Sequence, residues 1–149
     1  MGNNYMLIGE YIHNIDEKNR ISFPVKFRKE TGKNLVVAPG LDNCLFVFTK
    51  KEWSRISLGL AKSNLLQSDN RSFARFFFGG AVEVVTDNLG RILIPDFLKE
   101  YADLKNEVVI IGVQNRLELW NKTKWVSYKK VVEGQAETLA EKLGDVGVL

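Results

Sequence analysis

The sequence is short of the residues that build disulfide and metal sites: it has one cysteine and one histidine in 149 residues. Cys44 cannot form an intramolecular disulfide, and no paired-cysteine or cysteine–histidine spacing offers a zinc site. We expect Cys44 to pack as a small hydrophobe, although the sequence leaves a role in oxidation sensing open. His13 lies in a predicted strand beside no recognisable nucleophile, which favours a strand side chain over a general base.

The sequence also lacks long apolar runs and catalytic motifs. No apolar run approaches the roughly 18 to 20 residues of a membrane span. The start "MGNNYML" lacks both the charged region and the apolar region of a signal peptide. There is no dinucleotide-binding glycine fingerprint, P-loop or nucleophile elbow. Asp16 and Glu17 are adjacent and would point apart, which argues against a paired acid/base site. We therefore expect a cytoplasmic, non-enzymatic protein without cofactor, metal, membrane or small-molecule substrate.

The composition is that of a folded protein whose charge is unevenly distributed. Hydrophobic residues make up 45% and charged residues 26% of the chain, as in soluble globular proteins. Residues 1–79 hold 12 Lys/Arg against 7 Asp/Glu, a balance of +5, whereas residues 80–149 hold 9 against 11, a balance of −2. The first half is the better candidate for contact with a polyanion, although uneven solvating charge explains the difference equally well.

Two stretches of the chain repeat one pattern. "DEKNRISFP" begins at Asp16 and "DNLGRILIP" begins 71 positions later at Asp87. Each copy reads as strand, Asp turn, short strand, proline, brief helix, and then a strand–turn–strand unit. Aligning Gly40 with Gly112 changes the offset to 72, which indicates an internal duplication with one inserted residue. Because about 70 residues make a small core, we expect the two copies to share one.

Helix signals follow each copy. Thr49 with Glu52 forms a capping box, Asn121 can cap the second helix, and Trp53 and Trp125 are predicted to pack. "SDNRSFARFFFGG" predicts a connector helix capped at Ser68 or Asp69. Its apolar residues must be buried either within the chain or against a neighbouring subunit, with equal support for both; they are Phe73, Phe76 and Phe77. The tail predicts an amphipathic acidic helix.

The repeated Asp-x-x-x-Arg predicts a tight turn between two strands. Its Asp can accept backbone N–H groups, and Asn19 or Gly90 tolerates a positive φ. A structural role is one interpretation; a binding role for Arg20 and Arg91, as donor forks for phosphate or for the guanine edge, is the other. Charge suggests additional phosphate contacts near the first turn; the residues are Lys18, Lys26 and Arg28. The second turn has Leu89 and a nearby Asp96, which predicts weaker electrostatics.

These features together resemble the MraZ family of bacterial transcriptional regulators. The segments that carry the resemblance are "GEYIHNIDEKNRISFPVKFR", "GLDNCLFVF", "RSFARFFFGGA", "DNLGRILIP" and "VVIIGVQNRLELW". The resemblance implies an α+β fold of two tandem AbrB-like swapped-hairpin repeats that form one pseudo-two-fold small β-barrel with peripheral helices. The expected divisions are residues 7–53 (first repeat), 54–79 (helical connector), 80–128 (second repeat) and 129–149 (C-terminal helical tail).

The resemblance also implies a function. The protein would be a sequence-specific, DNA-binding repressor of the division and cell-wall gene cluster, including its own gene, associated with the nucleoid. It would recognise short G-rich direct repeats as a closed ring of like subunits, with Arg20 and Arg91 on the DNA and Asp16 and Asp87 holding the loops. The alternative is a non-enzymatic partner-binding or ring-assembly module that uses the terminal helix.

Overall fold

The computed structural model describes residues 6–147. The start of the chain, expected to carry no signal peptide, and the end of the predicted tail therefore fall partly outside the described residues, at positions 1–5 and 148–149. The strands are β1 (Leu7–Asn14), β2 (Arg20–Ser22), β3 (Asn34–Pro39), β4 (Leu45–Thr49), β5 (Val82–Val85), β6 (Arg91–Leu93), β7 (Glu107–Gln114) and β8 (Leu117–Asn121). The helices are α1 (Val25–Thr31), α2 (Lys50–Ala61), α3 (Ser68–Gly79), α4 (Asp96–Tyr101) and α5 (Lys122–Asp145).

The two copies are interleaved rather than side by side. Six strands form an antiparallel sheet in the order β1-β7-β8-β4-β3-β5, and β2 pairs with β6 in a separate two-stranded ribbon. The first strand of each copy thus pairs with the third strand of the other, and exchanging the copies leaves the strand order unchanged. The α+β class is confirmed. No closed barrel is detected among residues 6–147, whose strand pairings form these two sheets.

The β2–β6 ribbon joins the copies through equivalent residues. Ile21 lies directly opposite Ile92, and both side chains are buried in the main core. The ladder continues at both ends, because Phe23 N donates to Gly90 O at 3.1 Å and Ile94 N donates to Asn19 O at 2.8 Å. Each short strand alone is too small to be stable, so it depends on the other copy for its hydrogen bonds.

A proline ends each ribbon strand and begins a short helix. Pro24 and Pro95 have φ near −53° and −60°, which suits the position before the first helical turn. Phe27 and Leu98 then occupy equivalent buried positions in α1 and α4, as their spacing predicts. Gly32 follows α1 with φ 71°, which accounts for the predicted end of the helix there.

The predicted alignment of Gly40 with Gly112 was wrong by one residue. With Phe48 matched to Trp120, the ladders place Val36 opposite Phe48 and Val109 opposite Trp120. The β3–β7 offset is therefore 73 residues, while the β4–β8 offset is 72. The second copy has two extra residues before β7 and one fewer in its hairpin loop, because loops change length more readily than paired strands.

The helix-capping predictions are confirmed for α2 and α5 but not for α3. Thr49 Oγ1 accepts from Glu52 N at 3.1 Å, and Asn121 Oδ1 accepts from Lys124 N at 2.9 Å. The connector helix begins earlier than predicted: its N-cap is Gln67 rather than Ser68 or Asp69, and Gln67 makes no side-chain capping bond. Helix α3 is held by tertiary packing instead, since Phe77 is buried against Trp53 with ring centroids 5.0 Å apart.

The predicted tail helix is the continuation of α5. Its first turns pack on the sheet, where Trp125 Nε1 donates to Glu10 Oε2 at 2.7 Å and Lys129 pairs with Glu10 at 2.6 Å. From residue 133 to residue 147 every residue is exposed. None of the helices in the described chain combines the length and apolar composition needed to cross a bilayer.

Two glycine substitutions test the packing of β1 on β7. In Gly112→Ala the new Cβ would overlap the backbone of Leu7 and Ile8, so we expect the free energy of unfolding to fall by about 1–3 kcal/mol. The matched variant Gly134→Ala adds a Cβ where α5 has open space, and we expect a gain of up to about 1 kcal/mol. Urea denaturation measures both; equal effects would contradict the close strand approach.

Candidate nucleic-acid interface

The Asp16 carboxylate organises the first turn. Its Oδ1 accepts from Lys18 N at 2.8 Å and from Arg20 N at 2.9 Å. The backbone closes the same loop, with Asp16 N donating to Arg20 O at 2.9 Å and Asn19 N donating to Asp16 O at 3.0 Å. Asn19 has φ 61°, the left-handed conformation that Asn tolerates better than most residues.

The second turn reproduces this geometry bond for bond. Asp87 Oδ1 accepts from Leu89 N and Arg91 N, both at 2.9 Å, and Gly90 takes the positive φ of 74°. Arg28 lies directly over Gly90, where an added Cβ would displace the flexible end of the Arg28 side chain. The structural interpretation of the repeated motif is therefore correct for both copies, and it leaves a binding role open.

Each Asp also fixes its arginine. Arg20 Nε donates to Asp16 Oδ2 at 3.0 Å, and Arg91 Nε donates to Asp87 Oδ2 at 2.8 Å. The arginine side chains are 33% and 27% exposed. Among the described residues, no hydrogen bond engages the terminal nitrogens of either guanidinium. Each arginine is thus held through Nε, while its terminal nitrogens are neither hydrogen-bonded nor fully buried in the described part of the chain.

The turns keep both carboxylates ionised. The pKa of Asp16 is lowered from its ordinary value chiefly because the backbone N–H of Arg20 donates to it, with further help from Lys18 N and the Arg20 side chain. The pKa of Asp87 is lowered chiefly by the backbone N–H of Arg91, then by that arginine's side chain. The negative charge of each Asp is therefore part of the loop structure at neutral pH.

The β2–β6 ribbon places both arginines on one outward face. Because Ile21 and Ile92 point into the core and side chains alternate along a strand, the neighbouring positions point outward; they are Arg20, Ser22, Arg91 and Leu93. Arg20 lies opposite Leu93, so Arg91 is its diagonal neighbour across the ladder. Diagonal neighbours are about 7–8 Å apart, which makes the two turns a single surface.

The other basic residues predicted from charge do not stay together. Lys18 is exposed at the tip of the first turn, and Lys26 is exposed on α1. Arg28 instead lies against the second turn, over Gly90, with its Nε donating to Phe23 O at 2.7 Å. Arg28 was predicted to lie near the first turn. That prediction is wrong, because strand exchange places α1 beside the turn of the other copy.

The same exchange brings second-copy residues to the first turn. Lys99 is equivalent to Arg28, and its Nζ donates to Asn19 Oδ1 at 3.1 Å. Lys99 and Lys105 together line a cavity beside the first turn. Asp96, expected near Arg91, accepts from the Asn19 side chain instead. Because Lys99 lies 71 residues after Arg28, the repeat offset combined with strand exchange would have placed Lys99 at the first turn. The charge count along the chain could not predict this position.

The remaining candidate chemistry is structural. Cys44 is fully buried, its Sγ donates to Leu41 O at 3.3 Å, and burial raises the pKa of the thiol. Within the described chain, no cluster of three or more His, Cys, Asp or Glu side chains is placed to hold a metal ion.

Interleaved copies of one α+β unit, each presenting an Asp-held arginine on a shared ribbon, define a duplicated-repeat protein with a paired cationic surface. The chain belongs to the MraZ family: the family model described as "MraZ protein, putative antitoxin-like" matches residues 6–76 and 77–144. Relatives named "Transcriptional regulator MraZ" from Acetivibrio thermocellus and Halothermothrix orenii are each 46% identical over 143 residues, covering 96% of this chain and 100% of theirs. One from Moorella thermoacetica is 44% identical with the same coverage. The predicted family membership is confirmed.

The lowered pKa values generate a pH prediction. A carboxyl with a lowered pKa in the folded chain stabilises the fold above its unfolded pKa, about 3.8 to 4, and this contribution is lost as pH falls through the lowered value. We expect Asp16→Asn and Asp87→Asn to be less stable than wild type in urea at pH 7. The difference should shrink at acid pH, as the pH falls through the lowered pKa values, because the wild-type carboxyls then become protonated.

Carbon-13 NMR of the carboxyl carbons gives a direct check, with both midpoints expected below 3.8. Glu137→Gln, on the exposed part of α5, is the matched control and should change stability little at either pH. Midpoints at or above 3.8 would show that the turns do not depend on the ionised carboxylates.

Proposed function

We propose that this protein regulates transcription by binding double-stranded DNA through the Asp16–Arg20 and Asp87–Arg91 turns. The observation that carries the proposal is the pair of arginines on one ribbon face, each fixed through Nε with its terminal nitrogens outward. Arg20 and Arg91 contact base or phosphate, and Asp16 and Asp87 hold the loops. The transcriptional-regulator name of relatives with 44 to 46% identity supports this function.

The ribbon suits the major groove. A two-stranded β-ribbon fits that groove, and a guanidinium fork matches the O6 and N7 acceptors of guanine. The backbone positions of the two arginines are diagonal neighbours, about 7–8 Å apart, so both side chains can reach one short site. This geometry favours a short G-rich element. Phosphate contacts come from Lys18 at the turn tip and from Lys26 and Arg28 on α1.

The regulatory role that best fits the family resemblance is repression. The target is the promoter of the division and cell-wall gene cluster, including the protein's own gene, where the recognised element occurs as direct repeats. Such binding places the protein in the cytoplasm, associated with the nucleoid. Direct repeats suit an assembly of like subunits that face the same way, because each subunit then presents one ribbon to one repeat and gains affinity through avidity.

We further propose that copies of the chain assemble into a closed ring. An apolar groove of about 350 Å³ lies between the sheet and helices α2 and α3, and it supports a contact with a second copy. Phe73 and Phe76 remain 36% exposed although Phe77 is buried, so the connector packs partly within the chain and leaves apolar surface uncovered. A head-to-tail contact of this kind closes a ring when its rotation permits.

We also propose how the two repeats are arranged within the fold. The pseudo-two-fold strand order supports an AbrB-like swapped-hairpin arrangement in which the six-stranded sheet and the ribbon together act as one small barrel. The proposed divisions are residues 7–53 and 80–128 for the repeats, 54–79 for the connector and 129–149 for the tail.

A second candidate function is binding of a protein partner through α5. Residues 133–145 of α5 are exposed throughout, so this part of the helix offers an open surface. Deletion of residues 131–149 distinguishes the two functions, because DNA binding through the turns does not need those residues. Loss of a specific pull-down, with DNA binding absent in both proteins, would favour the partner-binding role.

The central test is fluorescence anisotropy with a duplex from the promoter upstream of this gene and a scrambled duplex. Arg20→Ala/Arg91→Ala should fold normally and lose promoter preference, since each bidentate arginine–guanine pair contributes about 1–3 kcal/mol of discrimination. Arg20→Lys/Arg91→Lys should retain binding to both duplexes but lose most of the preference, because lysine keeps the charge without the fork.

Arg75→Ala is the matched control, since Arg75 is exposed on α3 away from the ribbon. It should bind like wild type. Normal promoter binding by the double alanine variant, with equal assembly in size-exclusion chromatography, would overturn the proposed role of the turns.

Assembly is tested by light scattering. Leu41→Ser and Phe73→Ser each place a hydroxyl in the groove and should shift the ring toward smaller species, because they remove apolar contact area. Leu66→Ser changes a leucine that is 86% exposed and outside the groove, and it should leave the mass unchanged. A wild-type monomer, or no difference among the variants, would contradict assembly through the groove.

A further inference from the structure

The first turn forms one wall of a cavity whose other wall comes from the opposite repeat. The cavity is about 470 Å³, and its lining residues are Ile15, Asp16, Glu17, Lys18, Arg20, Lys99, Lys105 and Asn106. Residues 15–20 belong to the first copy and residues 99–106 to the second. The cavity therefore exists only because the copies exchange strands.

We propose that this cavity is a phosphate-binding site for the DNA backbone and that Lys99 and Lys105 provide its second wall. The inference rests on the proposed DNA-binding function and deepens it. It assigns a role to two lysines that lie about 80 residues from Arg20 along the chain.

The two lysines are placed with donors to spare. Lys99 Nζ is positioned by Asn19 Oδ1 at 3.1 Å, which uses one of its three N–H groups. Lys105 pairs with Asp103 at 3.3 Å but keeps its side chain 72% exposed. A surface pair of this kind contributes little, so the ammonium can turn toward a phosphate at small cost.

The charge of the cavity favours an anion. Four cationic side chains line it, against the carboxylates of Asp16 and Glu17. Asp16 is already occupied by the N–H groups of its own turn. The remaining positive charge comes from side chains of both repeats. Lysine and arginine side chains are common donors to DNA phosphates.

The equivalent cavity at the second turn is less suited to phosphate. It measures about 380 Å³, and its cations are Arg28 and Lys33. Leu89 replaces Lys18 at the turn tip, and Arg28 Nε is engaged by Phe23 O. We therefore assign most of the backbone contact to the first turn, so the two turns contribute unequally to the salt dependence of binding.

The test compares Lys99→Gln and Lys105→Gln with wild type by anisotropy on the promoter and scrambled duplexes across a salt series. Each substitution should reduce the slope of log K against log salt by about 0.9, the value for one lost phosphate contact. Affinity should fall by the same factor on both duplexes, because phosphate contacts carry no sequence information.

Two further variants separate this role from a structural one. Lys99→Arg keeps the charge and should restore the slope, whereas Lys51→Gln, at an exposed position on α2, should leave it unchanged. Wild type without salt-dependent DNA binding would overturn the proposed function itself. Normal wild-type binding with unchanged slopes in both glutamine variants, or a loss confined to the promoter duplex, would overturn only the phosphate site.

Discussion

The antiparallel pairing of β2 with β6 is the interaction on which the rest of the structure depends. Three residues from each repeat form the ribbon, with Ile21 against Ile92 at its centre. Since side chains alternate along a strand, burying these two isoleucines sends Arg20 and Arg91 outward. A slip of one residue would put the arginines into the core, so the apolar pair fixes the register as well as the stability.

Strand exchange explains why the molecule needs both repeats. Each first strand completes the other repeat's sheet, and each turn is flanked by the other repeat's helix. A single copy would lose its ribbon partner and most of its core. The same exchange swaps one cation between the turns, because α1 carries Arg28 to the second turn while α4 carries Lys99 to the first.

The repeats differ in what covers the outer face of the sheet. In the first copy α2 turns back into α3, and Phe77 packs against Phe48 and Trp53. In the second copy α5 runs on as one helix, and its own Trp125 and Tyr128 pack on Trp120. The chain therefore combines a ribbon of two equivalent Asp–Arg turns with two different helical flanks.

The local features of this protein were determined by its sequence alone. These features depend on neighbouring residues, so the sequence pattern predicts them. They are the turns, the positive φ at Asn19 and Gly90, and the caps at Thr49 and Asn121. The charge count along the chain failed for a physical reason: strand exchange brings together residues some 60 to 90 positions apart. Only the tertiary structure decided that Lys99 and Lys105 flank the first turn, that Arg28 serves the second, and that Gly40 matches Val113, because these facts depend on long-range pairing and register.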